Sequence, residues 1–334
     1  LRGYSTTPAA ATPPIPAGEP GKAEPTMPKP TVIILAAGLG SRYGGFKQIA
    51  PVGDHGEIAL DYAVHDAWRA GFGKAVFVLR RELEKPVRDH FAGKLPAGFG
   101  VEVVFQELAD LPAGFKLSAS RSKPWGTGHA IRAARHAVQE PFAVINADDF
   151  YGAESYEVLG DFLRRQPAAS TRPHPFAMVG FPLRRTLSKF GTVSRGVCRL
   201  DGEGFLQGVV EHPKIADSPA GIRNANPDGG FTPLPEETVV SMNMWGFTPA
   251  IFPHLDRLFV EFLHEHAHDP KAEFYIPSVA DRLVREGEAT VKVLRTGDAW
   301  FGMTYPEDRP EVVANIRALT VAGRYPQPLW GENS

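Results

Sequence analysis

Between Leu35 and Gln48 the chain reads LAAGLGSRYGGFKQ, a stretch whose residue types suit phosphate chemistry. Glycines permit tight turns at positive φ and let backbone N–H groups approach an anion closely. Arg42 adds a planar fork of donors and Lys47 a compact positive charge at the far end of the loop. The stretch therefore reads as a polyphosphate cradle, with a plain glycine turn as the alternative. Two commoner glycine loops do not fit. A dinucleotide fingerprint needs its third glycine at position 43, where Tyr43 stands. The P-loop needs Ser or Thr after Gly-Lys, and Lys47 lies between Phe46 and Gln48. A second group is the acidic pair Asp148 and Asp149, which closes the run FAVINADD. Such hard oxygens suit a Mg2+ ion that also binds phosphate, and an Asp-rich turn is the alternative. A third is HEHAH (His264 to His268), which satisfies His-Glu-x-x-His. It runs straight into Asp269-Pro270, so a solvated helix end favoured by the helix dipole outweighs a zinc site.

The elements that position these residues alternate between strand and helix. TVIILA (Thr31 to Ala36) is a continuous, β-branched apolar run of the kind a buried parallel strand shows. Leu60, Val64, Ala67 and Trp68 recur at helical spacing between Glu57 and Gly71. Strands are predicted at 74–80, 101–106 and 142–149, with helices at 82–91 and from Thr127. Further strands are predicted at 176–181, 191–199, 205–210, 238–247 and 290–294, with helices at 249–264, 278–286 and 309–322. A Gly/Pro/Asn-rich stretch, 217–235, reads as a loop. The pattern is α/β: a doubly wound, Rossmann-like sheet, mixed and mostly parallel. Ligands of such sheets sit beyond the carboxyl ends of the strands, where the glycine loop and the acidic pair both fall.

Composition narrows the partners. With 36 basic and 38 acidic residues the formal charge is -2, so no global field gathers nucleic acid or an anionic membrane. The single cysteine, Cys198, cannot form an internal disulfide, and a reducing, cytoplasmic setting fits. No run approaches the ~20 apolar residues of a membrane span. Residues 1–30 are rich in Pro, Ala, Thr and Gly and read as a disordered tail. The remainder, 31–325, reads as one domain with a nucleotide-binding half (31–150) and a second half (151–325). The expected partners are small molecules; a homo-oligomer is compatible with this reading.

The loop resembles the signature of the NDP-sugar pyrophosphorylase superfamily, a strand followed by LAAG-x-G-[ST]-R and a spacer ending in lysine. The resemblance implies that Ala37, Gly38, Gly40, Ser41 and Arg42 hold the nucleotide's phosphates and Lys47 their charge. Four further segments keep the superfamily's order. WGTGHAI (Trp125 to Ile131) is similar to the segment that lies against base and ribose, implying roles for Gly126 and Thr127. Thr127 also stands where a helix N-cap would. Gln106 resembles the glutamine that reads uracil, and residues 107–123 form an insertion between the two. The resemblance makes Asp148 the magnesium ligand. FGTVSRG and VVEHPK resemble the sugar-holding "YGVV…EKP" pair, implying Gly191 and Glu211 at the sugar and Lys214 or His212 at its phosphate. Asn243 in SMNMWGF resembles the Asn of "NAGIY", which also touches the sugar. WFGMTYPED (Trp300 to Asp308) resembles "W-x-D-x-G-T-P", whose Asp is the second metal ligand, but Gly302 occupies that position. Asp308 or Asp298 is then the substitute, or Asp148 holds the metal with phosphates alone.

The implied activity is nucleotidyl transfer from a nucleoside triphosphate, UTP first, to a sugar-1-phosphate, glucose-1-phosphate first, with Mg2+ as cofactor. The alternatives are a cytidylyltransferase for a non-sugar phosphate and a non-catalytic relative that only binds nucleotide-sugar.

Overall fold

The computed structural model describes residues 29–38, 50–166, 171–303 and 305–331. Gly40, Ser41, Arg42 and Lys47 lie outside the described residues, as does nearly all of the predicted tail. The first half comprises β1 (Thr31–Leu35), α1 (Ala59–Arg69), β2 (Lys74–Leu79), α2 (Glu84–Phe91), β3 (Gly100–Phe105), α3 (Thr127–Ala133) and β4 (Phe142–Asn146). A two-residue strand β5 (Asp149–Phe150) and α4 (Ala153–Arg164) lead into β6 (His174–Pro182), β7 (Val193–Leu200) and β8 (Leu206–Ala216). Then follow β9 (Arg223–Ala225), β10 (Phe231–Pro233), β11 (Val239–Phe247), α5 (Ile251–His266), α6 (Ile276–Arg285), β12 (Ala289–Arg295), β13 (Phe301–Gly302) and α7 (Arg309–Val321).

Strands β3, β2, β1 and β4 lie side by side, all parallel. The sheet is wound on both faces, as alternation along β1 requires. Val32 and Ile34 pack in a cluster with Leu60 and Val64 of α1, Phe91 of α2 and Leu159 of α4. Ile33, between them, joins a second cluster with Ile131 of α3, Leu255 of α5 and Leu283 of α6. The apolar run TVIIL thus has no polar face because helices cover both sides.

Strand β11 is the hinge of the topology. It runs antiparallel to β6 on one edge; on the other it pairs with β7 through Val240 and Ser241 and with β4 through Trp245 to Phe247. The pairing is interrupted between Ser241 and Trp245, and Asn243 sits in the gap with φ 60°. Asn is among the few side chains that tolerate that left-handed region. The sheet forks there, and β7, β8, β9 and β10 flare away from β4 in antiparallel order.

Four features differ from the sequence reading. The strand predicted at 142–149 ends at Asn146; the chain turns at residues 147–148, and Asp149–Phe150 then pairs antiparallel with Phe301–Gly302 as a separate ribbon. Two-residue strands carry too little periodicity to be read from sequence. Strand β8 runs past Val210 through Pro213, where a register irregularity sets one extra residue of β8 against β7; a proline is tolerated at such a bulge. The stretch 217–235 contains β9 and β10. Helix α5 ends at His266, so His268 lies off it and the HEHAH spacing does not place its outer histidines on one helix.

Candidate functional site

The carboxyl ends of β3, β1 and β4 form one edge. Ala37 and Gly38 continue β1 there, with Ala36 N–H bonded to Val78 O and Ala147 N–H to Leu35 O. Gln106 follows β3, its backbone N–H bonded to Leu79 O. Extending the β11–β4 register, in which Trp245 faces Val144, sets Asn243 level with Asn146, the last residue of β4. From the fork, Ser241 faces Gly196 of β7 and Gly196 faces Glu211 of β8. The structure therefore groups Ala37, Gly38, Gln106 and Asp148 along one edge, with Asn243 beside them and Glu211 two strands away across the fork.

Gln106 is locked in orientation. Its Nε2 donates to Gly126 O at 3.0 Å and lies 3.2 Å from His129 Nδ1. A carbonyl only accepts, so the amide nitrogen must face Gly126. His129 Nε2 in turn reaches Asp110 O at 3.0 Å. Burial pulls the His129 pKa down to about 4, so the ring is neutral at pH 7, with its proton on Nε2 and Nδ1 accepting. Both amide hydrogens of Gln106 are then engaged and only its oxygen is left for a ligand. His129 belongs to the WGTGHAI segment, but the reading by resemblance gave it no role; a buried histidine two residues from Thr127 was the available signal.

The two glycines of GTG have a packing reason. A Cβ on Gly126, whose φ is 101°, would lie 2.7 Å from Phe274 O. One on Gly128 would lie 2.7 Å from the Phe274 ring. Thr127 Oγ1 accepts from Ile276 N–H at 3.0 Å, so it caps α6 rather than its own helix, whose N-cap is Gly126. The insertion at 107–123 braces the same region. Arg121 stacks 3.4 Å over the Trp125 ring and donates to Ala272 O and Asp269 O; Trp125 Nε1 donates to Leu108 O.

At the end of β4, Asp148 is half-buried in the turn and Asp149 is buried. Asp149 Oδ2 accepts from Asn146 Nδ2 at 2.9 Å and lies 3.2 Å from the Tyr151 hydroxyl. That hydroxyl donates to Met242 O at 2.8 Å and accepts from Asn146 N–H, tying the turn to the fork. Burial holds the Tyr151 phenol far above its ordinary pKa, so it stays a neutral donor. Across the ribbon, Gly302 faces Asp149. A Cβ there would lie 2.7 Å from Trp300 Cζ2 and closer still to Asp149 Oδ1. The Asp149 carboxylate thus fills the space into which a side chain at 302 would project. The pair offers the hard oxygens that Mg2+ takes, one or two carboxylates beside substrate phosphates.

Asp298 and Asp308 are otherwise occupied. Asp298 Oδ2 accepts from Glu154 N–H at 2.7 Å, capping α4, while Glu154 accepts from Gly297 N–H. Asp308 accepts from Tyr305 N–H at 2.7 Å and from the Ser188 hydroxyl at 3.0 Å. Asp298 thus caps a distant helix and Asp308 its own turn, and these contacts explain the presence of both carboxylates without a metal.

In the second half, Glu211 is exposed and accepts from the Ser194 hydroxyl at 2.5 Å. Lys214 is exposed too, and among the described residues its ammonium has no ion-pair partner. Gly191 lies under Tyr305, whose hydroxyl a Cβ would meet at 2.6 Å and which donates to Thr192 O. Its described close contact is therefore with Tyr305.

The doubly wound sheet, with an acid pair beyond its fourth strand, is a Rossmann-like fold. A family model described as nucleotidyl transferase matches residues 31–304, and the chain belongs to that family. No match was found among curated protein sequences. Among solved structures the chain is similar to a protein assigned as a glucose-1-phosphate thymidylyltransferase from Bacillus anthracis, in complex with sucrose. The TM-score is 0.58 at 14% identity, covering 86% of this chain and 95% of that one. It is also similar to a UDP-glucose pyrophosphorylase complexed with UDP-glucose, with TM-score 0.55, 17% identity, and 86% and 98% covered. At these identities the likeness shows the fold, that of the nucleotide-diphospho-sugar transferases.

Proposed function

We propose that the protein condenses a nucleoside triphosphate with a sugar-1-phosphate, UTP and glucose-1-phosphate first, and releases pyrophosphate. The reading is supported by the acidic turn at the end of β4, with Asn243 at the fork level with the last residue of β4 and Glu211 two strands further along the flared sheet. A sugar-1-phosphate is a dianionic nucleophile at neutral pH and needs no general base. The demand is to bring two polyanions together, which positioning and electrostatics meet. The loop amides from Ala37 to Ser41 and the Arg42 fork hold the β- and γ-phosphates, and Lys47 and Lys214 flank the reacting groups. A sugar-phosphate oxygen bonds to the α-phosphorus in line, and the α–β bridging bond breaks with its electron pair leaving on pyrophosphate. A Mg2+ ion held by Asp148, with Asp149 beside it, would neutralise charge on the phosphates.

A uracil or thymine base is favoured by Gln106. Its amide oxygen alone is available, which suits the N3–H of uracil and not the bare N3 of cytosine. Cytosine's N4 amine can also donate to that oxygen, and it is the EKP-like segment Glu211 to Lys214 that weighs against a cytidylyltransferase for a non-sugar phosphate. The regulatory, non-catalytic alternative drew on Gly302, and the placement of Asp149 Oδ1 in that space weakens it. The test is a pair of variants. Asp148→Asn is expected to abolish pyrophosphate release with the fold intact by circular dichroism, and Glu211→Gln to raise KM for the sugar phosphate while leaving KM for UTP unchanged. Full activity in Asp148→Asn overturns the acid's role; equal KM changes for both substrates in Glu211→Gln overturn the sugar side.

A further inference from the structure

Between α7, the 185–195 segment and the β5–β13 ribbon lies a cavity of about 480 Å³, within the range of small-molecule sites. Asp148, Gln106, Glu211 and Asn243 do not line it, while Gly302, which faces Asp149 across the ribbon, and Asp308 do, so it adjoins the acid pair from the far side of the ribbon. Its apolar wall includes Phe150 and Phe301, stacked with centroids 4.3 Å apart at 7°, together with Trp300, Leu187 and Leu319. Phe150 follows Asp149 on β5, and consecutive strand residues face opposite ways, so the ribbon presents its aromatic side to the cavity.

The charges around the cavity do not cancel. Of the acids, Asp298 and Asp308 cap turns and Glu311 pairs with Lys189 at 3.0 Å. Arg324 sits 3.3 Å from Asp298. Two guanidiniums on the lining, Arg185 and Arg195, have no ion-pair partner among the described residues. Arg195 is the more telling of the two because it is 8% exposed. It donates from Nε to the Thr186 hydroxyl and carbonyl, from Nη1 to Ser194 O at 2.7 Å and from Nη2 to Thr186 O. One N–H on each terminal nitrogen is left over. Its Cζ lies 5.0 Å from the centroid of the Trp300 ring. Burial lowers its pKa to about 10 while the charges of Asp149, Glu211 and Asp308 oppose that shift from beyond ion-pair distance, so it is charged at neutral pH with no contact ion pair among the described residues.

We propose that this cavity is a second ligand site, separate from the nucleotidyl-transfer site, for a small organic anion with a flat apolar body. The ring would lie against Trp300 and Phe301, and the anionic group would meet Arg195 and Arg185. The test uses 8-anilinonaphthalene-1-sulfonate as the anionic probe and N-phenyl-1-naphthylamine as its uncharged analogue, on the full chain. The expected result is saturable binding of the anionic probe, one per chain, undisturbed by saturating UTP. Ala318→Trp, an exposed change on the α7 wall of the cavity, is expected to weaken it by at least about ten-fold, and Asn315→Trp repeats the block one turn earlier. Arg185→Ala, also exposed, is expected to weaken the anionic probe by about ten-fold and leave the neutral one unchanged. Wild-type binding in both tryptophan variants places the probe elsewhere and overturns the proposal. Displacement by UTP does the same, and equal loss of both probes in Arg185→Ala overturns the anion preference.

Discussion

Replacing Gly302 with alanine tests the ribbon at the acid pair. The added methyl would stand 2.7 Å from Trp300 Cζ2 and 3.1 Å from Cη2, and nearer still to Asp149 Oδ1. Ordinary carbon contacts begin at about 3.5 Å, so atoms must move by roughly 0.8 Å. Trp300 is buried and has little room, and Asp149 is held at 2.9 Å by Asn146. Overpacking costs about 1–3 kcal/mol. Loosening a hydrogen bond to a charged group adds about 1.5 kcal/mol or more. The sum is about 3 kcal/mol, read as a lower urea midpoint with an unchanged m-value. A melting temperature lower by roughly 4–5 °C is its thermal counterpart. The double variant Gly302→Ala with Asp149→Ala frees the contested space and is expected to be less destabilised than the sum of its parts by at least about 1 kcal/mol. A cost for Gly302→Ala within about 0.5 kcal/mol of zero, or strict additivity in the cycle, would refute the account of who occupies that space.

Three further outcomes follow from single contacts. His129 has a folded pKa of about 4 against an ordinary 6.5, so the unfolded chain binds the extra proton between those values. Stability is full above about 6.5 and falls as pH drops towards 4; between pH 7 and 5 the loss is about 2 kcal/mol. Urea unfolding at both pH values should show that loss reduced in His129→Gln, and an identical pH dependence in the two proteins contradicts the assignment. Thr127→Val removes the acceptor for Ile276 N–H and should cost about 1 kcal/mol in the same assay; no change means that solvent replaces the cap. Asp298→Ala uncaps α4 and leaves Arg324 without its partner. It should lower stability by about 1–2 kcal/mol yet leave KM and kcat near wild type, whereas loss of turnover in a stable variant makes it a site residue.

The two-sided winding was legible because TVIIL is apolar after its first residue and FAVIN is apolar up to its last, which only strands covered on both faces allow. The acidic pair was legible because a strand signal ends on it. The ribbon was not: Phe301–Gly302 becomes a strand only through its partner Asp149–Phe150, far earlier in the chain, a tertiary event with no local period. The fork at Asn243 was hidden for the same reason, since its positive φ belongs to a strand that changes neighbours partway along. GTGHA was read for ligand contacts, while its described contacts are with the strand end at Gln106 and the crossing segment at Phe274. Arg195 sits in an ordinary strand pattern, and its burial against Trp300 comes from the fold.

The central claim is nucleotidyl transfer to a sugar phosphate, and pyrophosphate release tests it most directly. The assay crosses UTP, dTTP and CTP with glucose-1-phosphate, N-acetylglucosamine-1-phosphate and phosphocholine in the presence of Mg2+. The account predicts the largest signal with UTP and glucose-1-phosphate and its loss on chelation. Pyrophosphate formed only from CTP and phosphocholine, or from no combination at all, contradicts it.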